Sequence, residues 1–293
     1  MTLPSSIAGR AVTASRRIAG GDINDAYAVE LDGGTRAFVK TRDTVAAGEY
    51  ATEAAALHWL GEPGAIRVPG VLEAGEDFLA LEWLDEDRLD AEGEEELGRG
   101  LALVHAAAAD RFGASPPGAS AAGVSSGGAP PTGAAPLRLG PLLLPNDPAP
   151  DWPAFYAERR LLPLLERARL SRDGRAAVER VCSRIHDLAG PPEPPARLHG
   201  DLWSGNVLAS GGRPYLIDPA AYGGHREVDL AMLRLFGSPG PCFLAAYEEV
   251  APLAPGHEDR VELYQLFPLL VHAALFGGGY AASAERAARR YAG

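Results

Sequence analysis

The chain has 293 residues, enough for one large domain or two ordinary ones, and its hydrophobic fraction of 46% can supply a substantial core. Its net charge of −12 and pI near 5.1 argue against a protein that binds nucleic acid through a basic face. Its two cysteines, Cys182 and Cys242, are far apart in the sequence and match no metal-ligand spacing. This pattern excludes a disulfide framework and a structural zinc site, and it is typical of a reducing compartment.

The sequence contains no stretch typical of a signal peptide or a membrane span. Residues 1–21 lack the continuous apolar run of a signal peptide. The longest apolar run, residues 266–280, is shorter than the roughly 20 residues that a span needs, and Pro268 and His272 interrupt it. We therefore expect this run to be a buried helix, and the protein to be cytoplasmic with no membrane partner.

The first part of the chain is predicted to be a small antiparallel sheet with one helix. Short runs of β-forming residues flank an Asp-Gly-Gly turn, which is typical of a hairpin, and two more such runs follow. The alanine-rich residues 46–60 carry apolar positions at helical spacing. The predicted strands are residues 26–31, 36–41, 68–75 and 78–84.

Beyond these strands the patterns are mainly helical. Residues 113–136 interrupt them with a low-complexity run of Gly, Ala, Ser and Pro, predicted to be a flexible insert. The fold class that follows is α+β with two lobes: an N-lobe over residues 1–84 and a larger, mainly helical C-lobe over residues 85–293. Helices are predicted from residue 94 to near residue 105, at 152–170, at 175–189 and through the C-terminal third.

One segment has the residue spacing of a phosphoryl-transfer site. Asp201 is followed five residues later by Asn206, and Asp218 ends a strand-like run. In protein kinases an Asp accepts the hydroxyl proton, an Asn five residues on holds one magnesium ion, and a later Asp holds magnesium against the phosphates. The intervening residues 207–217 can form a hairpin that returns Asp218 to Asp201. The spacing therefore predicts a site for ATP and Mg²⁺, since Asn and Asp oxygens are ligands that Mg²⁺ prefers.

Of the chain's 27 lysines and arginines only one is a lysine, Lys40, at the end of a predicted strand. Lysine is a compact charge on a flexible stem, and a glutamate from a following helix can direct it to the α- and β-phosphates of ATP. Glu53 is the preferred partner, because the helix must turn before a side chain faces the sheet; Glu49 is the alternative. A chance remainder of a strong arginine bias would also leave one lysine.

The other candidate nucleotide contacts depend on these residues. Gly21 and Asp22 lie in a glycine-containing turn that takes the place of a phosphate-covering loop. Glu82, Trp83 and Leu84 lie between the predicted lobes, where backbone groups would meet an adenine. A P-loop is excluded, because the lysine does not follow the glycine pattern of that motif.

The segments "LHGDLWSGN", "IDPAAYGGHREVDLAML" and "LFGGGY" resemble the fructosamine kinase (ketosamine-3-kinase) family, a branch of the aminoglycoside-phosphotransferase-like, protein-kinase-like fold. The resemblance covers nearly the whole chain except the insert. It implies an ATP-dependent kinase that phosphorylates the sugar 3-hydroxyl of ketosamines, the Amadori adducts of amines, either as small molecules or on glycated proteins. Elimination of the 3-phosphate would then free the amine, which amounts to deglycation.

The resemblance also implies roles for individual residues. Asp201 is the expected base, Asn206 and Asp218 the metal ligands, and Lys40 and Glu53 the residues that handle the phosphates. On the substrate side the expected residues are Trp203, which can stack on a sugar or pack in the core, together with His199, His225, Arg226 and Asn146.

Some of these residues have a structural role as the alternative to a role in substrate binding. His225 and Arg226 would contact the substrate or only brace their loop, and Asp229 is expected to brace the catalytic loop. Asn146 is expected to replace the end of a substrate loop that the insert interrupts.

Two other functions remain open on the sequence. One is a kinase for another small hydroxyl substrate, of the aminoglycoside or choline type. The other is a nucleotide-binding pseudokinase, which would usually have lost the base, the metal ligands or the lysine. The sequence predicts neither the preferred sugar nor the oligomeric state.

Overall fold

The structure is a computed structural model that describes residues 3–18, 24–119, 135–237 and 239–293. In the N-terminal part, four strands precede a single described helix along the chain and two strands follow it. In chain order the elements are β1 (Ser6–Ile7), β2 (Arg10–Ile18), β3 (Asp25–Leu31), β4 (Arg36–Thr41), α1 (Glu49–Gly61), β5 (Val71–Ala74) and β6 (Phe78–Glu82).

The strands form one antiparallel sheet in the order β1-β2-β3-β4-β6-β5. Lys40 lies in the central strand β4, where it is paired with Ala26 on one side and Leu79 on the other. Helix α1 packs Tyr50 and Leu57 against the sheet. The predicted hairpin, helix and later strands are therefore confirmed, and the central position of β4 fixes Lys40 in a rigid part of the sheet.

Strand β2 is absent from the sequence-based prediction. Its side chains are exposed or only partly buried along its whole length, so the sequence RAVTASRRI shows no strict alternation of apolar and polar residues. Backbone pairing with β3, rather than burial of side chains, defines this strand.

The remaining described residues are mainly helical, with short two-stranded ribbons between the helices. In chain order the elements are α2 (Ala91–Ala106), β7 (Leu137–Leu139), β8 (Leu142–Leu144), α3 (Trp152–Phe155), α4 (Arg172–Ser183), α5 (Ile185–Leu188), β9 (Ala196–Leu198), β10 (Val207–Ser210), β11 (Arg213–Leu216), β12 (Tyr222–Gly224), α6 (Glu227–Leu233), α7 (Pro241–Val250), α8 (His257–Phe276) and α9 (Gly279–Tyr291). This arrangement confirms the α+β class, while the division of the chain at residue 84 stays a prediction.

The first part of the apolar run near the C-terminus lies in the second half of α8 and is buried as predicted, whereas Phe276, at the end of this helix, is 53% exposed. Phe267, Leu270 and Val271 belong to the largest core cluster, which also holds residues of α3, α4 and α9. No helix in the part of the chain that the structure describes is long and apolar enough to span a bilayer.

The helix predicted over residues 152–170 is not continuous. After α3 the chain forms a π-helical segment, Tyr156–Leu161, and then a 3₁₀ segment, Leu162–Leu164. Pro163 has no N–H to donate into a helical ladder, and it lies at the start of the 3₁₀ segment, where no such bond is needed. The segment still turns Tyr156 and Leu161 into the core.

The predicted insert, residues 113–136, is too wide at both ends. Ala114 and Ala135 are buried, and the Ser115 hydroxyl donates a hydrogen bond of 2.8 Å to the Ala135 carbonyl. Both ends therefore pack against the protein and against each other. Residues 120–134 lie outside the described residues.

We expect that a short Gly-Ser linker in place of residues 120–134 will leave the melting temperature nearly unchanged. These residues are mostly Ala, Gly, Ser and Pro, and each doubling of loop length costs only about 0.6 kcal/mol of closure entropy. Calorimetry of the shortened chain tests this. A second deletion extended back to Ser115 is the control and should lower the melting temperature, because it removes the hydrogen bond to Ala135. A large loss of stability in the first deletion alone would contradict the prediction.

Candidate active site

The loop after β9 and the hairpin of β10 and β11 bring the predicted acidic residues together. The hairpin pairs Val207 with Leu216, and the Ile217 N–H donates a hydrogen bond of 3.1 Å to the Asn206 carbonyl. The chain therefore returns to the catalytic-type loop directly before Asp218. Asp218 itself has a φ of 54°, in the left-handed region that non-glycine residues seldom adopt. Such backbone strain is concentrated at functional sites.

Lys40 joins the sheet to this loop. Its Nζ atom lies 2.7 Å from Asp218 Oδ1 and also forms an ion pair with Glu53 on α1. Only 5% of Lys40 is exposed. The neighbouring Glu49 pairs with Arg42 instead, so the geometry selects Glu53 over Glu49 as the glutamate beside the lysine.

The charges in this cluster are coupled. Burial acts to lower the pKa of Lys40, but the Asp218 and Glu53 carboxylates outweigh it and raise the pKa above its usual value. Burial likewise acts to raise the pKa of Asp218, yet the Lys40 ammonium lowers it overall. Lys40 is therefore a cation and Asp218 an anion at neutral pH.

Asp201 lies on the other side of the loop, held by Asn206. The Asn206 Nδ2 donates hydrogen bonds to the Asp201 carbonyl at 2.7 Å and to its Oδ2 at 3.3 Å. Burial, with the nearby Asp218 carboxylate, raises the pKa of Asp201 to about 6. A carboxylate with a pKa closer to neutral is a stronger proton acceptor than an ordinary aspartate.

Asp229, on α6, braces the catalytic-type loop through hydrogen bonds to its backbone, as the sequence predicted. Its carboxylate accepts the backbone N–H of His199 at 2.7 Å and that of Gly200 at 2.9 Å. It also lies 3.3 Å from the ring of His105, which in turn hydrogen-bonds the Tyr247 hydroxyl at 2.7 Å. The loop is thus anchored to buried groups of α2, α6 and α7.

His199 does not face the cavity, contrary to its predicted place on the substrate side. It is fully buried, and its Nε2–H donates to the Ile217 carbonyl at 2.9 Å. Its Nδ1 accepts the Asp201 N–H at 3.3 Å. Burial lowers its pKa, so the neutral ring links the backbone of Asp201 to the residue before Asp218.

His225 and Arg226 are also absent from the described lining of the cavity, and their contacts favour the bracing alternative. The His225 ring is 2% exposed and stacks on Tyr264, with ring centroids 5.3 Å apart. Arg226 binds both oxygens of Glu193 and the carbonyls of Ala251 and Pro252.

Gly200 is required by the bend that presents Asp201. Its φ of +82° is unfavourable for other residues, and a Cβ would lie 2.9 Å from the Ala220 carbonyl carbon and closer still to its oxygen. The strand before Asp201 and the segment after Asp218 therefore approach each other through backbone alone.

We expect Gly200→Ala to destabilise the fold by more than the roughly 1–2 kcal/mol that a left-handed non-glycine residue costs. Gly34→Ala is the matched control, because Gly34 has nearly the same φ, +81°, and a Cβ added there would meet nothing within 4 Å. Urea unfolding of the two variants separates the cost of backbone strain from that of the overlap. Equal destabilisation of both variants would show that the close approach to Ala220 is unimportant.

A cavity of about 470 Å³ opens beside these groups. Trp203 forms part of its wall and is 39% exposed. Gly205 makes room for the indole, since a Cβ there would lie 2.7 Å from a ring carbon. The wall continues with further aromatic side chains, namely Phe236, His272, Phe276 and Tyr280. Trp203 therefore lies in the cavity wall and not in the core.

Asn146 reaches the same cavity with its amide already engaged. Its Nδ2 donates to the Ala135 carbonyl at 2.8 Å, and its Oδ1 accepts from Arg160 at 2.6 Å. Asn146 thus fixes the end of the interrupted loop against the helical part.

The other residues predicted to contact the nucleotide fall into two groups, one outside the described residues and one after β6. Gly21 and Asp22 lie outside the described residues. Glu82 accepts the Gly70 N–H at 3.1 Å, and Trp83 donates to Asp85 at 2.9 Å. These side chains hold the segment after β6 in place, and the adenine contacts of Glu82, Trp83 and Leu84 stay a prediction.

Sequence reasoning missed two arginines in the cavity wall, Arg42 and Arg138. Arg42 follows Lys40 by two residues, and Arg138 interrupts a run of leucines that line the core. The sequence signal that could have identified Arg138 is a single charged residue between two leucines.

The side-chain oxygens of Asn206 and Asp218 are suitable ligands for a Mg²⁺ ion. The Asn206 Nδ2 is used by Asp201, which leaves the amide oxygen for a cation, and Asp218 is an anion whose side chain is half exposed to the cavity. Both ligands are oxygens, which is the chemistry that Mg²⁺ prefers.

Comparisons with known proteins agree on one family. The model of the fructosamine kinase family matches residues 4–117 and 137–292, and the unmatched stretch between them contains most of the low-complexity run. The crystal structure of a protein designated a fructosamine-3-kinase from Thermobifida fusca is 43% identical, with a TM-score of 0.85 over 97% of this chain and 96% of its own.

Two curated relatives have the same degree of identity to this chain. A probable ketoamine kinase from Synechocystis sp. is 34% identical over 92% of this chain and 88% of its own length. The chloroplastic protein-ribulosamine 3-kinase of Oryza sativa subsp. indica is 34% identical over 93% of this chain and 77% of its own. Phosphotransferases with 20% identity or less share the fold, which confirms the protein-kinase-like architecture. The chain therefore belongs to the fructosamine kinase family.

Proposed function

We propose that the chain transfers a phosphoryl group from ATP to the 3-hydroxyl of ketosamines, with Mg²⁺ as the metal. One observation carries the proposal. A single cavity brings together the Lys40–Glu53–Asp218 cluster, the Asp201–Asn206 pair and the exposed indole of Trp203. Groups for the nucleotide, the acceptor hydroxyl and a sugar face thus open onto the same space.

On the nucleotide side, the proposed role of the residues is to place positive charge beside the phosphates of ATP. Bound ATP with Mg²⁺ would supply the phosphoryl group and neutralise its negative charge. Lys40, kept cationic by its two carboxylates, would direct its ammonium at the phosphates, and Glu53 would hold the lysine in place. Asn206 and Asp218 are the residues that would hold the metal. Most of the catalytic effect in such sites comes from positioning and charge stabilisation.

On the acceptor side, Asp201 is the base. Its raised pKa lets the carboxylate accept the proton of the attacking 3-hydroxyl, and Asn206 fixes its orientation. Trp203 offers a flat apolar face on which a sugar carbon chain can pack. A 3-phosphate formed in this way would leave by elimination, and the amine of the adduct would be released.

Two alternatives fit the cavity less well. Among the described lining residues, Glu49, Glu53 and Asp218 each pair with a cation of the protein, which leaves only the Asp201 carboxylate for a polycationic aminoglycoside. A pseudokinase has no need of Asp201, Asn206, Asp218 and Lys40 in one site. Glycated proteins as substrates and a cytoplasmic location stay predictions, and the oligomeric state is open.

The proposal is tested by incubating the chain with ATP and Mg²⁺ and a panel of ribulosyl-, erythrulosyl- and fructosyl-lysines, read by mass spectrometry. We expect phosphorylation at the 3-hydroxyl, with ribulosyl and erythrulosyl adducts ahead of fructosyl adducts, because a ketose that stays open exposes the hydroxyl more readily than a closed ring. If fructosyl-lysine has the highest kcat/KM, the ranking is wrong. Turnover of an aminoglycoside but of no ketosamine would refute the function itself.

A further inference from the structure

Arg138 is a largely buried cation in the cavity wall, and the proposed reaction gives it no role. It lies on β7 between Leu137 and Leu139, both of which are buried in the core. Because side chains alternate along a strand, the Arg138 side chain points to the other face of β7 from these leucines, and all three residues contribute to the cavity wall. Its side chain is only 14% exposed.

The described residues give the Arg138 guanidinium no hydrogen bond. Its nearest ionic neighbour is Glu49, at 4.0 Å, which is beyond hydrogen-bond distance. Glu49 is already bound by Arg42 and accepts the Ala46 N–H at 3.3 Å. Two guanidinium groups therefore share one carboxylate, and this part of the wall carries one more positive than negative charge. A cation so far out of water normally has a partner.

We propose that Arg138, supported by Arg42 across Glu49, binds an anionic group of the ketosamine, either a carboxylate on the amine part or a phosphate on the sugar part. The planar fork of a guanidinium matches both oxyanions through paired hydrogen bonds. This inference rests on the proposed function and narrows its substrate class to adducts that carry a negative charge.

The position of Arg138 favours the acceptor over the nucleotide. Glu49 and Glu53 are one turn apart on α1, about 6 Å along the helix axis, so the arginine pair lies to one side of the Lys40 cluster. Lys40 already serves the nucleotide phosphates in the proposed reaction. Arg138 belongs to the hairpin of β7 and β8, which leads directly to Asn146, and it shares the cavity with Trp203.

The experiment compares matched ketosamines that differ in one charge. Ribulosyl-glycine carries a carboxylate, ribulosyl-glycinamide does not, and the 5-phosphate of ribulosyl-glycinamide places the charge on the sugar instead. The chain and Arg138→Gln, Arg138→Lys and Arg286→Gln are assayed for kcat/KM on each, and for KM of ATP. Arg286 is an exposed residue of α9 whose side chain contacts Ser283, so it is the control.

We expect the chain to prefer at least one charged ketosamine over the neutral one by about 10–100-fold, the range for a hydrogen bond to a charged group. Arg138→Gln should abolish this preference without changing KM for ATP, Arg138→Lys should keep part of it, and Arg286→Gln should keep all of it. The arm that responds identifies the source of the anion, carboxylate or phosphate.

Three results would overturn the inference: no preference in the unchanged chain, an equal loss on charged and neutral ketosamines in Arg138→Gln, or a raised KM for ATP in that variant. If Arg138→Gln unfolds, the charged-to-neutral ratio of the unchanged chain and of Arg138→Lys decides. If the chain phosphorylates no ketosamine at all, the proposed function fails separately. Calorimetric binding of the matched pairs then still decides whether Arg138 selects an anion.

Discussion

Asp201→Asn is expected to lower kcat by about 10²–10⁴-fold, the usual contribution of a general base, while ATP still binds. The amide is nearly the same size as the carboxylate, so the hydrogen bond from Asn206 to the Asp201 backbone carbonyl, 2.7 Å long, can remain. The amide cannot accept the proton of the attacking hydroxyl. Only the chemical step should therefore suffer.

Steady-state kinetics with a ketosamine, together with calorimetric titration of ATP, measures both parts of this expectation. Asp187→Asn is the matched control, because Asp187 is an exposed residue on α5. Turnover near that of the unchanged chain in Asp201→Asn would remove Asp201 from the role of base. A loss of ATP binding would instead indicate that Asp201 shapes the nucleotide site.

Lys40→Arg is expected to lower kcat/KM by about 10²-fold, the cost of a misplacement of about 1 Å in a positioned reaction. Lys40 is 5% exposed and lies between Glu53 and Asp218. The longer arginine must push one of these carboxylates aside, and its fork spreads the charge that lysine concentrates at one atom. The net charge stays the same while the geometry changes.

Lys40→Met is the comparison that separates charge from geometry. Both variants need a measured melting temperature, since removal of one partner from a buried ion pair is itself destabilising. If arginine restores most of the activity that methionine loses, the site requires only a positive charge, and a single lysine among so many arginines is a chance remainder. We expect both variants to be close to inactive.

Elements with strong local signals could be predicted from the sequence. The turn between β3 and β4 and the alanine-rich α1 depend on residues close together in the chain, and the structure has both. Strand β2 depends on pairing with β3 and has few buried side chains to reveal it. The π-helical and 3₁₀ segments after α3 could not be predicted, because the apolar spacing of residues 152–170 is that of a continuous helix.

The same distinction applies to the site. The spacing of Asp201, Asn206 and Asp218 is local, so their proximity could be predicted. The orientation of His199 and His225 could not, because a residue next to a catalytic-type loop can face the cavity or the core, and only packing decides. Arg138 depends on contacts with α1, which is distant in the sequence.

The burial of Lys40 has a chemical consequence for the chain itself. Sugars attach to lysine side chains through the unprotonated amine, which must be free to reach the carbonyl carbon. Lys40 is enclosed and held as an ammonium by a raised pKa, and every other cationic side chain of the arginine and lysine type is an arginine. A protein proposed to remove sugar adducts from amines thus presents almost no lysine amine on which such an adduct could form, and its one lysine is protected by the same contacts that position it.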